Sequence, residues 1–177
     1  MHYESTTCSR EVFRGKVFRV TEDQVLLENN KEATREIVHH NGGVCVAALD
    51  EQDRLLLVRQ FRYAFGQELL ELPAGKREAG EDPALCGRRE LEEETGFQAG
   101  RFELLSIMYP TVGYCNEIIH IYLAQDLIPS HQHLDEDEFL SVERLPLEQA
   151  LQMVLQNEIP DAKTQLAILK LHALRSK

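Results

Sequence analysis

No stretch of the 177 residues approaches the roughly eighteen consecutive apolar residues of a membrane-crossing helix. The opening MHYESTTCSREVFRGK also lacks the apolar run of a secretory signal. Positive charge is scarce: 19 Lys and Arg stand against 30 Asp and Glu, for a net charge of −11. That balance excludes binding to nucleic acid or an anionic membrane surface through bulk charge. It also conflicts with an anionic substrate unless metal ions bridge the two. Cys8, Cys45, Cys86 and Cys115 are scattered, with no CxxC pair, and read as reduced thiols of a cytoplasmic protein. Low-complexity segments and clear repeats are missing. What is present is an acidic chain with 43% apolar residues, enough for one domain with a real core and a small appended subdomain.

The first forty residues alternate polar and apolar in EVFRGKVFRV, DQVLLENN and ATREIVHH, the pattern of antiparallel strands. Two further strands are expected in GVCVAAL (43–49) and RLLLVRQF (54–61), separated by the turn cluster DEQD. The continuous apolar run in the second predicts burial on both faces. ELLELP (68–73) is a shorter strand, followed by a loop over 74–81. Strands are also expected at 102–109, 118–124 and 139–145. Two helices close the chain, near 146–156 and 161–174, the second capped by Asp161. The chain is therefore expected to be a mixed α/β protein.

A helix is expected from Asp82, a good N-cap, through Pro83 at its first position to Gly96 just past its end. It carries GRRELEEETG (87–96), and like charges at helical neighbours repel. Glu90, Glu93 and Glu94 are related by three and four residues and share a face. Arg89 lies four before Glu93 and can pair with it, whereas Glu92 points elsewhere and is expected to be solvated. Gly75, ahead of the helix, lets a backbone approach a ligand closely. A solvated face would explain the cluster. So would a site for Mg²⁺ or Mn²⁺, which prefer carboxylates, carbonyls and water.

The spacing chooses between the two. Gly75, five residues, Glu81, seven residues, then Arg89-Glu90-Leu91-x-Glu93-Glu94-x-Gly96-Phe97 reproduces every fixed position of the Nudix box. The chain resembles a Nudix hydrolase. It is similar to the ADP-ribose pyrophosphatase branch through REIVHHNGGVCVAAL, LLLVRQFRYAFG, LELPAGK, YPTVGYCNEIIHIYLA, LDEDEF and DAKTQLAI. The resemblance implies a Nudix α/β/α sandwich with a mixed sheet at 41–177 and a small antiparallel β subdomain at 1–40 that packs on a second chain, making a homodimer. One departure stands out: the branch generally has Pro-Gly in the loop after the box, and this chain has Val112-Gly113.

The resemblance also implies roles. Glu90, Glu93 and Glu94 hold Mg²⁺, with the Ala74 carbonyl as a further ligand, and Arg89 orients a glutamate. Glu81 serves a further metal or the loop itself. In the loop Asp135-Glu136-Asp137-Glu138, Glu136 aligns with the proposed general base and Glu138 with another metal ligand; a polar turn is the plain alternative. Arg62, whose guanidinium fork suits phosphate oxygens, aligns with a diphosphate- or sugar-binding position. Arg35 is a candidate for similar work, and Glu117 for the nucleoside part. No histidine has zinc spacing, His120 is expected to be packed or paired, and Cys86 and Cys115 are read as packing residues. The implied activity is Mg²⁺-dependent hydrolysis of ADP-ribose to AMP and ribose 5-phosphate. Another nucleoside diphosphate sugar, such as GDP-mannose or ADP-glucose, is the alternative substrate. A non-catalytic nucleotide-sugar sensor acting on a partner is the alternative of another kind.

Overall fold

The computed structural model describes residues 2–175. Its backbone divides into two compact units: residues up to Gly42 with Tyr109–Ile118, and Gly43–Met108 with the chain from Ile119 onward.

The first unit is a three-stranded antiparallel sheet of β1 (Ser5–Arg14), β2 (Phe18–Leu26) and β3 (Glu32–His40), in that order. Gly15 N donates to Phe18 O at 3.0 Å to close the first hairpin. The segment 109–118 joins this unit through β3: Val38 N donates to Tyr114 O at 2.7 Å, and Asn116 N to Val38 O at 3.1 Å. Strand β1 is exposed along its whole length.

The second unit carries β4 (Gly43–Leu49), β5 (Arg54–Arg62), β6 (Gln67–Glu71), β7 (Ala74–Lys76), β8 (Phe97–Met108), β9 (Ile119–Pro129) and β10 (Leu140–Pro146). Its helices are α1 (Pro83–Thr95), α2 (Leu147–Leu155) and α3 (Ala162–Arg175). The sheet order is β10-β5-β4-β9-β8, with β6 beside β5 and β7 beside β4. Among the described residues of this sheet only β4 and β9 run parallel; the other pairs are antiparallel. This is the mixed sheet of an α/β fold.

Strand periodicity explains the layers. Every residue of β4 is buried. Cys45, Ala47 and Leu49 point into a core shared with Leu147, Leu151, Ile168 and Leu171 of α2 and α3. Val46 and Ala48 point the other way, against Leu91 of α1, and Val44 against Cys86. A strand covered by helices on both faces reads as an unbroken apolar run, and the same holds for Leu55–Val58 of β5. Cys86 is thus a packing residue, its thiol pushed up to about 12 by burial.

Three elements differ from the sequence expectation, the first being β9, which runs to Pro129 rather than 124. Ala74–Lys76, read as loop, forms β7, because Val44 and its neighbours offer it a free edge. Strand β8 starts at Phe97 rather than 102, since pairing with β9 overrides the weak propensity of Ala99 and Gly100.

Candidate active site

The site is built on α1 and the strand that faces it. Asp82 caps the helix, its Oδ1 accepting from Ala84 N at 2.9 Å and Leu85 N at 3.1 Å. At the other end Gly96 adopts φ 72°, the left-handed conformation that stops a helix and suits glycine. Between them the helix presents Glu90 and Glu94 to β7. A Cβ on Gly75 would sit 1.9 Å from the Glu90 Cδ, so only glycine fits beneath that carboxylate.

Glu94 is 2% exposed, and its Oε2 accepts from Ala74 N at 3.0 Å. Burial, with the charges of Glu138 and Glu90, pushes its carboxyl up to about 9 against the lowering effect of that hydrogen bond. Glu90 is pushed up to about 6, again chiefly by burial, while Arg89 pulls it down. The Arg89 Nη1 bridges Glu90 at 2.9 Å and Glu93 at 2.7 Å, and its Nε reaches Glu81 at 3.3 Å. Glu81 also accepts from Glu78 N at 2.9 Å, which closes the loop ahead of the helix.

Glu138 is half-buried, and its charge is felt at both Glu90 and Glu94. Gln60 Nε2 approaches its Oε1 at 3.5 Å. Glu136 is exposed at the turn, which Glu138 N closes on Asp135 O at 3.0 Å. The structure thus gathers Glu90, Glu94 and Glu138 into one electrostatic cluster, with Arg89 and Glu93 beside it.

Arg62 is held by Glu71, through Nε at 2.6 Å and Nη2 at 2.9 Å. Glu71 is 3% exposed and also takes Lys163 at 2.6 Å, and Lys163 pairs with Asp161 at 2.9 Å. Burial alone would raise Glu71, but its two cationic partners hold it below the usual carboxylate range. In the first unit, Arg35 is bidentate to Glu4 at 2.9 and 2.6 Å, and Glu117 lies 3.2 Å from His40 Nδ1.

Sequence reasoning missed the Glu71–Lys163 pair. The available signal was a glutamate between leucines in LLELP, a charge in an apolar strand that requires a buried partner. Glu92 is also corrected. It is not simply solvated: its Oε1 accepts from Ser130 Oγ at 2.5 Å and from Gln98 Nε2 at 2.7 Å. His120 is packed in β9, with a buried Nδ1 that has no hydrogen-bond partner among the described residues.

The donor set fits a divalent cation. The carboxylates of Glu90, Glu94 and Glu138 feel one another's charge, and a cation is the counter-charge that would relieve the ionisation penalty at Glu90 and Glu94. Among the described residues no three His, Cys, Asp or Glu side chains converge tightly enough to hold an ion as they stand. Arg89 draws Glu90 and Glu93 toward itself, and loading would require a side-chain shift there.

A family model described as NUDIX domain matches residues 39–166. The chain is 41% identical to an ADP-ribose pyrophosphatase of Bacillus subtilis (strain 168), covering 93% of this chain and 90% of that protein. It is 39% identical, with the same coverage, to a methanol dehydrogenase activator of Bacillus methanolicus. A solved structure described as an ADP compounds hydrolase superposes with a TM-score of 0.88 at 23% identity, covering 98% of this chain and 95% of that one, a likeness of fold.

Proposed function

The chain belongs to the Nudix family, and from that premise we propose that it hydrolyses the diphosphate of ADP-ribose to AMP and ribose 5-phosphate. The observation that carries this is the complete box in a chain 41% identical to an ADP-ribose pyrophosphatase. Mg²⁺ is the proposed cation, with Mn²⁺ as a substitute. The Glu90, Glu94 and Glu138 carboxylates and the Ala74 carbonyl would hold it, and the mutual repulsion of the three carboxylates supports this. When bound, the cation supplies neutralisation of diphosphate oxygens and a more acidic attacking water.

The chain's own residues do the rest. Arg89 fixes Glu93 and restrains Glu90 by the ion pairs described. Gly75, expected from the sequence to admit the substrate, instead leaves room for the Glu90 carboxylate against β7. Arg62, pre-oriented by Glu71, offers its guanidinium to the diphosphate; Arg35 is the candidate for similar work, and Glu117 for the nucleoside part. Glu136 takes a proton from water as its oxygen attacks one phosphorus. The bridging P–O bond breaks, and the released phosphate leaves on its sugar.

The working form we read as a cytoplasmic homodimer. Four unpaired thiols support a reducing compartment. Strand β1, a sheet edge with Val12 and Phe13 about half exposed, supports a second chain as its cover. Light scattering on the full chain and on one lacking residues 1–40 tests this; a fully active monomer overturns it.

The substrate test is a panel of ADP-ribose, ADP-glucose and GDP-mannose, with products resolved chromatographically. ADP-ribose is expected to turn over fastest with Mg²⁺ and not at all with EDTA. Faster cleavage of GDP-mannose would reassign the substrate. The relative described as a dehydrogenase activator favours a second reading, action on a partner enzyme. A chain that binds ADP-ribose without cleaving it in Mg²⁺ would support that reading instead.

A further inference from the structure

The end of a helix leaves carbonyls without internal partners, and the last turn of α1 is a test of where they go. Two of them, together with the carbonyl of Gly96 just past the helix end, are taken by one short segment, 130–133, which follows β9. Ser130 N donates to Gly96 O at 2.7 Å, Gln132 Nε2 to Glu94 O at 2.6 Å, and His133 N to Glu93 O at 2.9 Å. The same segment is tied to the side of the helix by Ser130 Oγ on Glu92 Oε1 at 2.5 Å, an oxygen that Gln98 Nε2 also holds at 2.7 Å. The fit is close: a Cβ on Gly96 would lie 3.1 Å from Gln132 N.

The position of this strap matters more than the bonds it makes. It is fastened to the backbone of Glu93 and Glu94 themselves. Two residues further on the chain enters Asp135–Glu138, whose Glu138 returns beside Glu90 and Glu94, and Leu140 then re-enters the sheet opposite Gln60. The acidic loop is therefore anchored at one end to the box glutamates and at the other to β5. Between the anchors it is exposed at Asp135, Glu136 and Asp137. A base or ligand on such a loop is only as well placed as its anchors, and displacements of about 1 Å cost orders of magnitude in rate.

We propose that Glu92, Ser130 and Gln132 are positioning residues, which set the register of the Glu136–Glu138 loop against the carboxylates of α1. This rests on the reading of that loop as part of the hydrolytic machinery. Glu92 stands at an unspecified position of the box, so the box pattern alone gives it no work. Its role is to accept, not to carry charge: Gln at 92 keeps an acceptor oxygen, and Ala does not.

The test uses the full-length chain with Mg²⁺ and ADP-ribose. Glu92→Ala and Gln132→Leu are expected to lower kcat about 5- to 20-fold and to raise half-saturation by Mg²⁺, with KM for ADP-ribose unchanged within twofold. Glu92→Gln is expected to recover most of the loss. Circular dichroism melts identify a variant that has merely unfolded, and Ser130→Ala, the smallest deletion, then serves in its place. In a Glu138→Gln background, Glu92→Ala is expected to add little, because residues acting through one another are not additive. If Glu92→Ala keeps full kcat, or multiplies its effect onto Glu138→Gln, the strap is structural only and the proposal fails. If Glu136→Gln and Glu138→Gln are both fully active, the loop reading fails, and the strap proposal with it.

Discussion

Replacing Glu94 with Gln removes one charge from a 2% exposed side chain and keeps an oxygen for the Ala74 N–H. The metal-free protein holds this carboxyl near 9 against an ordinary value of 4.5. Between those values the folded chain binds a proton that the unfolded chain has released. A raised folded value therefore contributes stability that is fully present below about pH 4.5 and is lost as pH rises through 9. The loss is at most about 1.4 kcal/mol per pH unit. In a domain of this size that is about 3–5 °C of Tm per unit. Glu90 titrates in the same cluster, so the useful quantity is the difference between wild type and variant. In EDTA from pH 5.5 to 8.5, Glu94→Gln is expected to gain Tm steadily on wild type. Added Mg²⁺ should reverse the order, because wild type gains the cation's binding energy and the variant little of it. Turnover of the variant should fall by at least about 10²-fold. A Tm difference that stays flat with pH, or equal Mg²⁺ stabilisation of both proteins, would refute the assignment of Glu94.

Three further outcomes are expected. Gly75→Ala places a Cβ 1.9 Å from the Glu90 carboxyl, so stability should drop by about 1–3 kcal/mol in urea titrations and turnover by about 10²-fold or more as Glu90 is displaced. Lys163→Met strips buried Glu71 of one of its two cations and should cost about 3–5 kcal/mol, whereas pairing it with Glu71→Gln should restore much of that; equal losses in both would show that the pair is not coupled. Glu136→Gln should lower kcat by about 10²–10⁴-fold without rescue by excess Mg²⁺, while Glu138→Gln should be partly rescued; a Mg²⁺ titration of both variants separates the roles.

What the sequence discloses is what is encoded locally. The cap at Asp82, the stop at Gly96 and the shared face of Glu90 and Glu94 follow from spacing within one helix. The unbroken apolar runs of β4 and β5 announce a sheet buried on both sides. What stays hidden depends on partners far along the chain. Strand β7 exists because β4 offers an edge. Glu71 finds Lys163 at a separation of 92 residues. Glu92 looks like one more solvated glutamate until Ser130, 38 residues on, arrives beside it. Helical periodicity says which way a side chain points and nothing about what the tertiary fold brings to meet it.

The single parallel pairing in the sheet has a kinetic consequence. β4 joins β9 from Gly43↔Ile119 to Ala48↔Ala124, so 76 positions separate the paired residues. Everything between them, including the whole of α1, must be looped out before the pair can form. Closing so long a loop costs entropy before any contact rewards it, and folds dominated by such pairings reach their native state slowly. During synthesis a chain that has emerged only to residue 118 already holds every box residue but lacks the strand that completes the central sheet. The same chain lacks Ser130 and Gln132, so the last turn of α1 has no cap from that segment, and Glu138 is absent from the cluster. The carboxylates of α1 therefore meet Glu138 only after β9 and the loop beyond it have docked.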